Sequence, residues 1–278
     1  MVADGVLIFT GAVRAIVQHA RFAVLICLPW VVISAAVSFW LYRAEAFGSP
    51  LIPLLDIVMV PVIAVLWHRH VLPEMMITPD LRLTFGDLGR YTFKWLLVSF
   101  LVGLIAVMGL VVLGLAMSMM PGVDGWFAAF LDGAWLGLSF GALRDGQLAP
   151  LLVGALAVLL GFVATYLVHR ISYVLPHGAL RRETMSLRDG YRRTAPLAGP
   201  LAVTSLIVMA GMAAVFGVQV WLGEVLMQAY DADKISVARF DLWTALIEAV
   251  SVVLQTLIGA ALLTEIYRRI GGAPQPDR

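Results

Sequence analysis

The chain holds a single cysteine, Cys27, and little charge: Asp, Glu, Lys and Arg make up 13% of its 278 residues. One cysteine excludes an internal disulfide and a cysteine-based metal site. So small a charged fraction, beside 61% hydrophobic residues and a mean hydropathy of +0.93, excludes a soluble globular composition. Two short motifs of soluble catalysis are missing as well. There is no His-Glu-x-x-His and no glycine loop followed by Lys-Ser/Thr. Zincin and phosphate-loop chemistry therefore have no foothold.

What the chain does have is apolar length. A bilayer crossing takes about 20 mainly apolar residues, and six such runs occur, near 22–42, 51–70, 95–119, 148–169, 198–222 and 243–266. The first run ends at Trp40-Leu41-Tyr42-Arg43 with no small-residue cleavage site, so a signal peptide is not expected. The segment from Pro121 to Gln147, with Trp126, Asp132 and Trp135, is too interrupted for a span. It reads as a helix at the outer interface, where indole rings are favoured, with a re-entrant segment as the alternative. Residues 1–270 read as a single six-helix membrane domain and 271–278 as a disordered tail.

The basic residues are not evenly shared. With these spans, fifteen of the nineteen Lys and Arg fall on one side, leaving Arg43, Arg144, Lys234 and Arg239 on the other. The positive-inside rule then puts both termini in the cytoplasm of a bacterial inner membrane.

Two segments match. His68-Arg69-His70-Val71-Leu72-Pro73 is echoed by His169-Arg170-Ile171-Ser172-Tyr173-Val174-Leu175-Pro176. Thr84-Phe85-x-Asp87-x-x-Arg90-x-Thr92 is echoed by Ser186-Leu187-x-Asp189-x-x-Arg192-x-Thr194. Thr84 and Ser186 stand three residues before an acid, a helix-start spacing. Both segments read as amphipathic elbows on the inner leaflet. Tyr267-Arg268 closes the last span as His-Arg closes two others, and Phe9 to His19 reads as a degenerate elbow before the first. The predicted fold is an all-α polytopic membrane protein: six transmembrane helices as three tandem hairpins with amphipathic cytoplasmic elbow helices.

This pattern of ring-Arg, Leu-Pro and Ser/Thr-Leu-x-Asp-x-x-Arg-x-Thr, best from Tyr166 to Pro200 and weaker from Leu66 to Trp95, resembles a bacterial group. These are stand-alone six-span proteins similar to the membrane domain of some glycerophosphoryl diester phosphodiesterases. No polar stretch here is long enough for the catalytic barrel such a domain accompanies. The resemblance implies a membrane-embedded module and carries over no catalytic residue.

Three sets of residues are candidates for function. Arg69, Arg90, Arg170, Arg192, Arg193 and Arg268 are positioned to reach lipid phosphate, which makes anionic phospholipid the expected partner. A membrane-protein partner or a second copy of the chain is also compatible. The pairs Arg181-Arg182 and Arg192-Arg193 lie beside spans, which favours lipid over nucleic acid. Inside the membrane, Glu248, Ser251 and Gln255 recur at helical spacing with Thr244, and Asp56 lies on another span. Such groups mark an ion path or a hydrogen-bonded packing seam. Finally, His68 and His169 are the residue types that ligate a metal or haem. Since Tyr267 stands in the equivalent third place, a structural polar ring is the simpler reading, and no cofactor is expected. The function these features support is a non-enzymatic scaffold, accessory subunit or headgroup-binding module. A transporter or channel and a redox subunit are the alternatives.

Overall fold

The computed structural model describes residues 1–46, 49–75, 82–118, 148–181 and 185–271. The interfacial or re-entrant segment 121–147 and the tail 272–278 lie outside the described residues. In lipid, every backbone N–H and C=O must be satisfied within the protein, which leaves helices or closed barrels. The chain takes the helical solution. It is an all-α polytopic protein with six helices long and apolar enough to cross a membrane.

The helices, in chain order, are α1 (Val2–Gln18), α2 (Ala20–Arg43), α3 (Leu51–Val71), α4 (Phe85–Ser118), α5 (Leu148–Ile171), α6 (Val174–Ala179), α7 (Leu187–Arg193), α8 (Ala198–Asp231) and α9 (Val237–Gly271). α8 and α9 have 34 and 35 residues. At 1.5 Å per residue each is about 50 Å long, more than the roughly 30 Å hydrocarbon core. Their shared hairpin at 232–236 therefore projects past the core on the side opposite Arg268.

The two matched elbows fold differently. The sequence predicts a short amphipathic helix before each following span. After α6 that is what forms: α7 stops at Arg193, a 3₁₀ turn runs Ala195–Leu197, and α8 begins at Ala198. In the first elbow there is no break, because α4 runs unbroken from Phe85 to Ser118. Pro196 supplies the difference. Proline lacks an N–H and cannot continue a helix past its first turn, and the first elbow has no proline between Phe85 and Trp95.

The chain divides into two compact units, 1–96 with 169–278, and 97–168. In the smaller unit, Leu160 packs against Gly109, and Phe162 stacks on Tyr166 with ring centroids 6.2 Å apart. In the larger unit α9 is the hub, with α1, α2, α3 and α8 all packed on it. Its buried positions include Ala245, Ala249, Ala260 and Ala261. Small side chains let helix backbones approach closely, where lipid gives no hydrophobic drive for association.

The N-terminal stretch, read as a weak elbow, is a full helix. Its buried residues Gly5, Ile8, Ala12 and Ala15 recur at three- and four-residue steps, the stripe of a helix with one packed face. That stripe meets α8 and α9. Thr204 of α8 donates a hydrogen bond to the Gly5 carbonyl at 3.1 Å. A Cβ at Gly5 would stand 2.7 Å from the Pro200 carbonyl and 2.6 Å from the Val203 Cβ. Gly5→Val should therefore destabilise the α1–α8 contact by about 1–3 kcal/mol, the usual cost of overpacking. Thermal unfolding in detergent should show a lowered midpoint, and an unchanged midpoint would contradict this packing.

Candidate functional site

The richest polar assembly lies where α3 ends and α4 begins. Arg69, near the C-terminus of α3, is 0% exposed, and Asp87, in the first turn of α4, is 3% exposed. Their side chains form an ion pair at 2.9 Å. Arg69 Nε also donates to the Ala179 carbonyl at 2.8 Å, and Nη1 to the Arg82 carbonyl at 2.7 Å. Arg181 donates to the same Asp87 carboxylate through Nε at 3.0 Å and Nη2 at 2.8 Å. Arg90 reaches its other oxygen at 3.2 Å.

Local sequence explains the pieces. Thr84 accepts from the Asp87 N–H at 3.2 Å, so the predicted helix start forms and presents the acid at the positive helix end. Arg181 has a left-handed backbone, φ 57°, which is costly for a residue with a Cβ. Its two bonds to Asp87 and one to the Arg82 carbonyl hold it there. One carboxylate thus meets three guanidinium groups, leaving the assembly net positive.

The second elbow uses other partners. Arg170, 4% exposed, donates from Nε to the Thr194 hydroxyl at 2.8 Å and from Nη2 to the Tyr191 carbonyl at 3.0 Å. Its guanidinium also lies 4.0 Å from the Tyr191 ring centroid, a cation–π distance. Asp189, the counterpart of Asp87, is exposed and, among the described residues, bonds only within its own turn. The Ser186 hydroxyl donates to it at 2.6 Å, holding its carboxyl below the usual carboxylate range. At the end of α9, Arg268 pairs with Glu265 at 3.2 Å and donates to the Val71 carbonyl at 3.4 Å.

The arginines predicted to meet headgroups therefore separate into two sets. Arg69 and Arg170 are corrected to interior residues, since guanidinium groups enclosed by the protein and bonded to it have no free path to lipid. Arg90, whose side chain is 66% exposed, together with Arg192 and Arg193, lies on the surface. Arg268 is half-buried.

The histidines are interior as well. His68 Nδ1 lies 2.8 Å from the Thr264 hydroxyl, which itself donates to the Ala260 carbonyl. A hydroxyl has one proton, so His68 must donate through Nδ1. Its Nε2 then accepts from Tyr91 at 3.4 Å. His169 follows the same logic: Nδ1 donates at 2.8 Å to Ser205, whose proton goes to the Leu201 carbonyl. Both ring nitrogens of His68 thus have protein partners. Among the described residues, no three His, Cys, Asp or Glu side chains converge as a metal-ligand group. Tyr267, the third ring of the series, is buried against Tyr173 with centroids 5.0 Å apart, and its hydroxyl lies 3.0 Å from His177 Nδ1.

The intramembrane set does not converge on one site. Glu248 hydrogen-bonds with Tyr42, whose hydroxyl donates at 2.5 Å. It lines a cavity of about 360 Å³ with Ser38, Ser49 and Pro53, and a second of about 330 Å³ with Gln219 and Thr244. Ser251 lines an apolar cavity between α8 and α9 that shares Gln219 and Ile247 with the second of these. Gln255 and Asp56 are half-buried and line neither Glu248 cavity. Arg43 pairs with Asp241 at 3.7 Å.

Sequence reading missed two connections, Arg69–Asp87–Arg181 and Tyr42–Glu248. Each joins residues on different helices, and no spacing rule links them. The one available signal was the placement of Asp87 at the first turn of a helix, where it is held in one position. No family model, curated protein or solved structure matches this chain. The resemblance of Tyr166 to Pro200 to the phosphodiesterase membrane domain rests on its motifs alone.

Removing one member of a buried ion pair leaves the other charge stranded, typically at about 3–5 kcal/mol. Asp87→Asn should lower the unfolding midpoint strongly, while Asp189→Asn, at an exposed position, should leave it nearly unchanged. Equal shifts from the two substitutions would remove the case for Asp87 as the centre of the assembly.

Proposed function

We propose that this is a non-enzymatic integral protein of the bacterial inner membrane, with both termini cytoplasmic. It holds anionic phospholipid at its basic end and serves there as a scaffold or accessory module. The observation that carries this reading is the division of labour among the arginines. Arg69 and Arg170 close the interior with protein acceptors, while Arg90, Arg192 and Arg193 are surface residues at the same end of the larger unit.

Two physical points support it. The exposed basic residues sit beside apolar helix ends, where a headgroup layer would lie, and an anionic leaflet attracts such residues by about 1 kcal/mol each. Tyr191 is also exposed between Arg188 and Arg192, and tyrosine is favoured at a membrane interface. The short helix α7 thus presents a basic surface with an interfacial ring to the leaflet.

A triple substitution, Arg90→Gln, Arg192→Gln and Arg193→Gln, keeps the Arg69 and Arg181 pairs to Asp87 and loses only the exposed Arg90 contact. With about 1 kcal/mol per residue, retention of phosphatidylglycerol relative to phosphatidylcholine on the purified protein should fall at least about tenfold. Lipid mass spectrometry of protein from mixed nanodiscs measures this. Unchanged retention in a variant of normal thermal stability would rule the proposal out.

A further inference from the structure

The end of the larger unit opposite Arg268 has its own unexplained polar group. Glu248 lies twenty residues before Arg268 on α9, which is about 30 Å along a helix and matches the thickness of a hydrocarbon core. If Arg268 stands at one interface, Glu248 stands at the other. It is exposed. Tyr42 occupies its Oε2, and it has no cationic partner among the described residues. The nearby basic residue, Arg43, is committed to Asp241. An ionisable group at a lipid-facing position is costly without a partner.

The space around it has a polarity gradient. Beside Glu248, the cavity of about 330 Å³ is lined by Gln219, Thr244, Gly223 and Leu226. It shares Gln219 and Ile247 with the adjoining cavity of about 480 Å³, whose walls include Val215, Val218, Leu246 and Leu254. On α9 this second cavity runs toward higher numbers and on the antiparallel α8 toward lower ones, so it extends from Glu248 toward the membrane centre. Trp243 stands at its outer end, where indoles are favoured. The groove between α8 and α9 is therefore acidic and polar at the interface and apolar below it.

We propose that this groove binds a phospholipid with a primary-ammonium headgroup, of the ethanolamine type, in the leaflet opposite the arginine-rich end. The ammonium donates to Glu248, and one acyl chain lies along Val218, Leu246 and Leu254. Charge complementarity selects the headgroup: a primary ammonium has three N–H donors, whereas the trimethylammonium of a choline lipid has none. An anionic headgroup would be repelled. This inference is independent of the reading of Arg90, Arg192 and Arg193, because it concerns a different end of the unit and the opposite charge.

Native mass spectrometry of the full-length protein, offered phosphatidylethanolamine, phosphatidylcholine and phosphatidylglycerol of identical chains, tests it. A charge-assisted hydrogen bond sets the expected preference at roughly tenfold for the ethanolamine over the choline lipid. Glu248→Gln should abolish that preference and leave phosphatidylglycerol retention as it was. Val218→Trp, which fills the chain cavity and spares the acid, should reduce ethanolamine-lipid retention by a similar factor. That second variant gives the answer if Glu248→Gln does not fold. Dodecylamine should compete with the lipid, and ethanolamine at the same concentration should not. Equal retention of ethanolamine and choline lipids, an unaltered preference in both variants, or competition by ethanolamine alone would each overturn the proposal.

Discussion

A guanidinium that is shut away from water at the end of a membrane helix must find its countercharge and acceptors within the protein, and Arg69 is that group. Its charge meets Asp87, and two of its N–H groups go to the carbonyls of Ala179 and Arg82. Those partners come from the start of α4, the end of α6 and the segment before α4. An uncompensated charge at this depth costs several kcal/mol, so the segments are held in the one arrangement that supplies all three acceptors. Arg181 takes up a left-handed backbone within the same assembly. The order of the connections at this end of the larger unit follows from one buried charge.

Around that centre, the larger unit resolves its polar groups in pairs. His68 and His169 each donate to a hydroxyl on a neighbouring helix, and each hydroxyl passes its own proton to a carbonyl one turn back. Arg170 uses a threonine and a tyrosine where Arg69 uses an aspartate. These are different solutions to the same demand, made by matched segments of sequence. The surface is then left to residues with no such obligation, among them Arg90, Arg192 and Arg193 at one end and Glu248 at the other. The two ends differ in sign, as suits a protein exposed to two leaflets of different chemistry.

Much of the frame was legible from residues alone. Six apolar runs of bilayer length, the Thr84 and Ser186 helix starts, and the asymmetry of basic residues all follow from local chemistry. Within the candidate sites, legibility ended where a partner lay on another helix. Arg69 and Arg90 look alike as sequence, each beside an apolar run, yet one is enclosed and the other exposed. Asp87 and Asp189 occupy matching places in a matching motif, but only Asp87 has an enclosed arginine opposite it. His68 has the composition of a ligand and the bonding of a packed core residue.

The sequence by itself determined that this chain crosses a membrane as helices, since hydrophobic length and backbone satisfaction in lipid depend only on consecutive residues. It also determined the helix starts after Thr84 and Ser186 and the break at Pro196, because these residues act on their own neighbours. Tertiary structure alone decided which arginines are interior, that α9 is the hub, and that Glu248 meets Tyr42 beside an open groove. Those outcomes depend on distances between helices far apart in the chain, and such distances are set by packing, which no local pattern encodes.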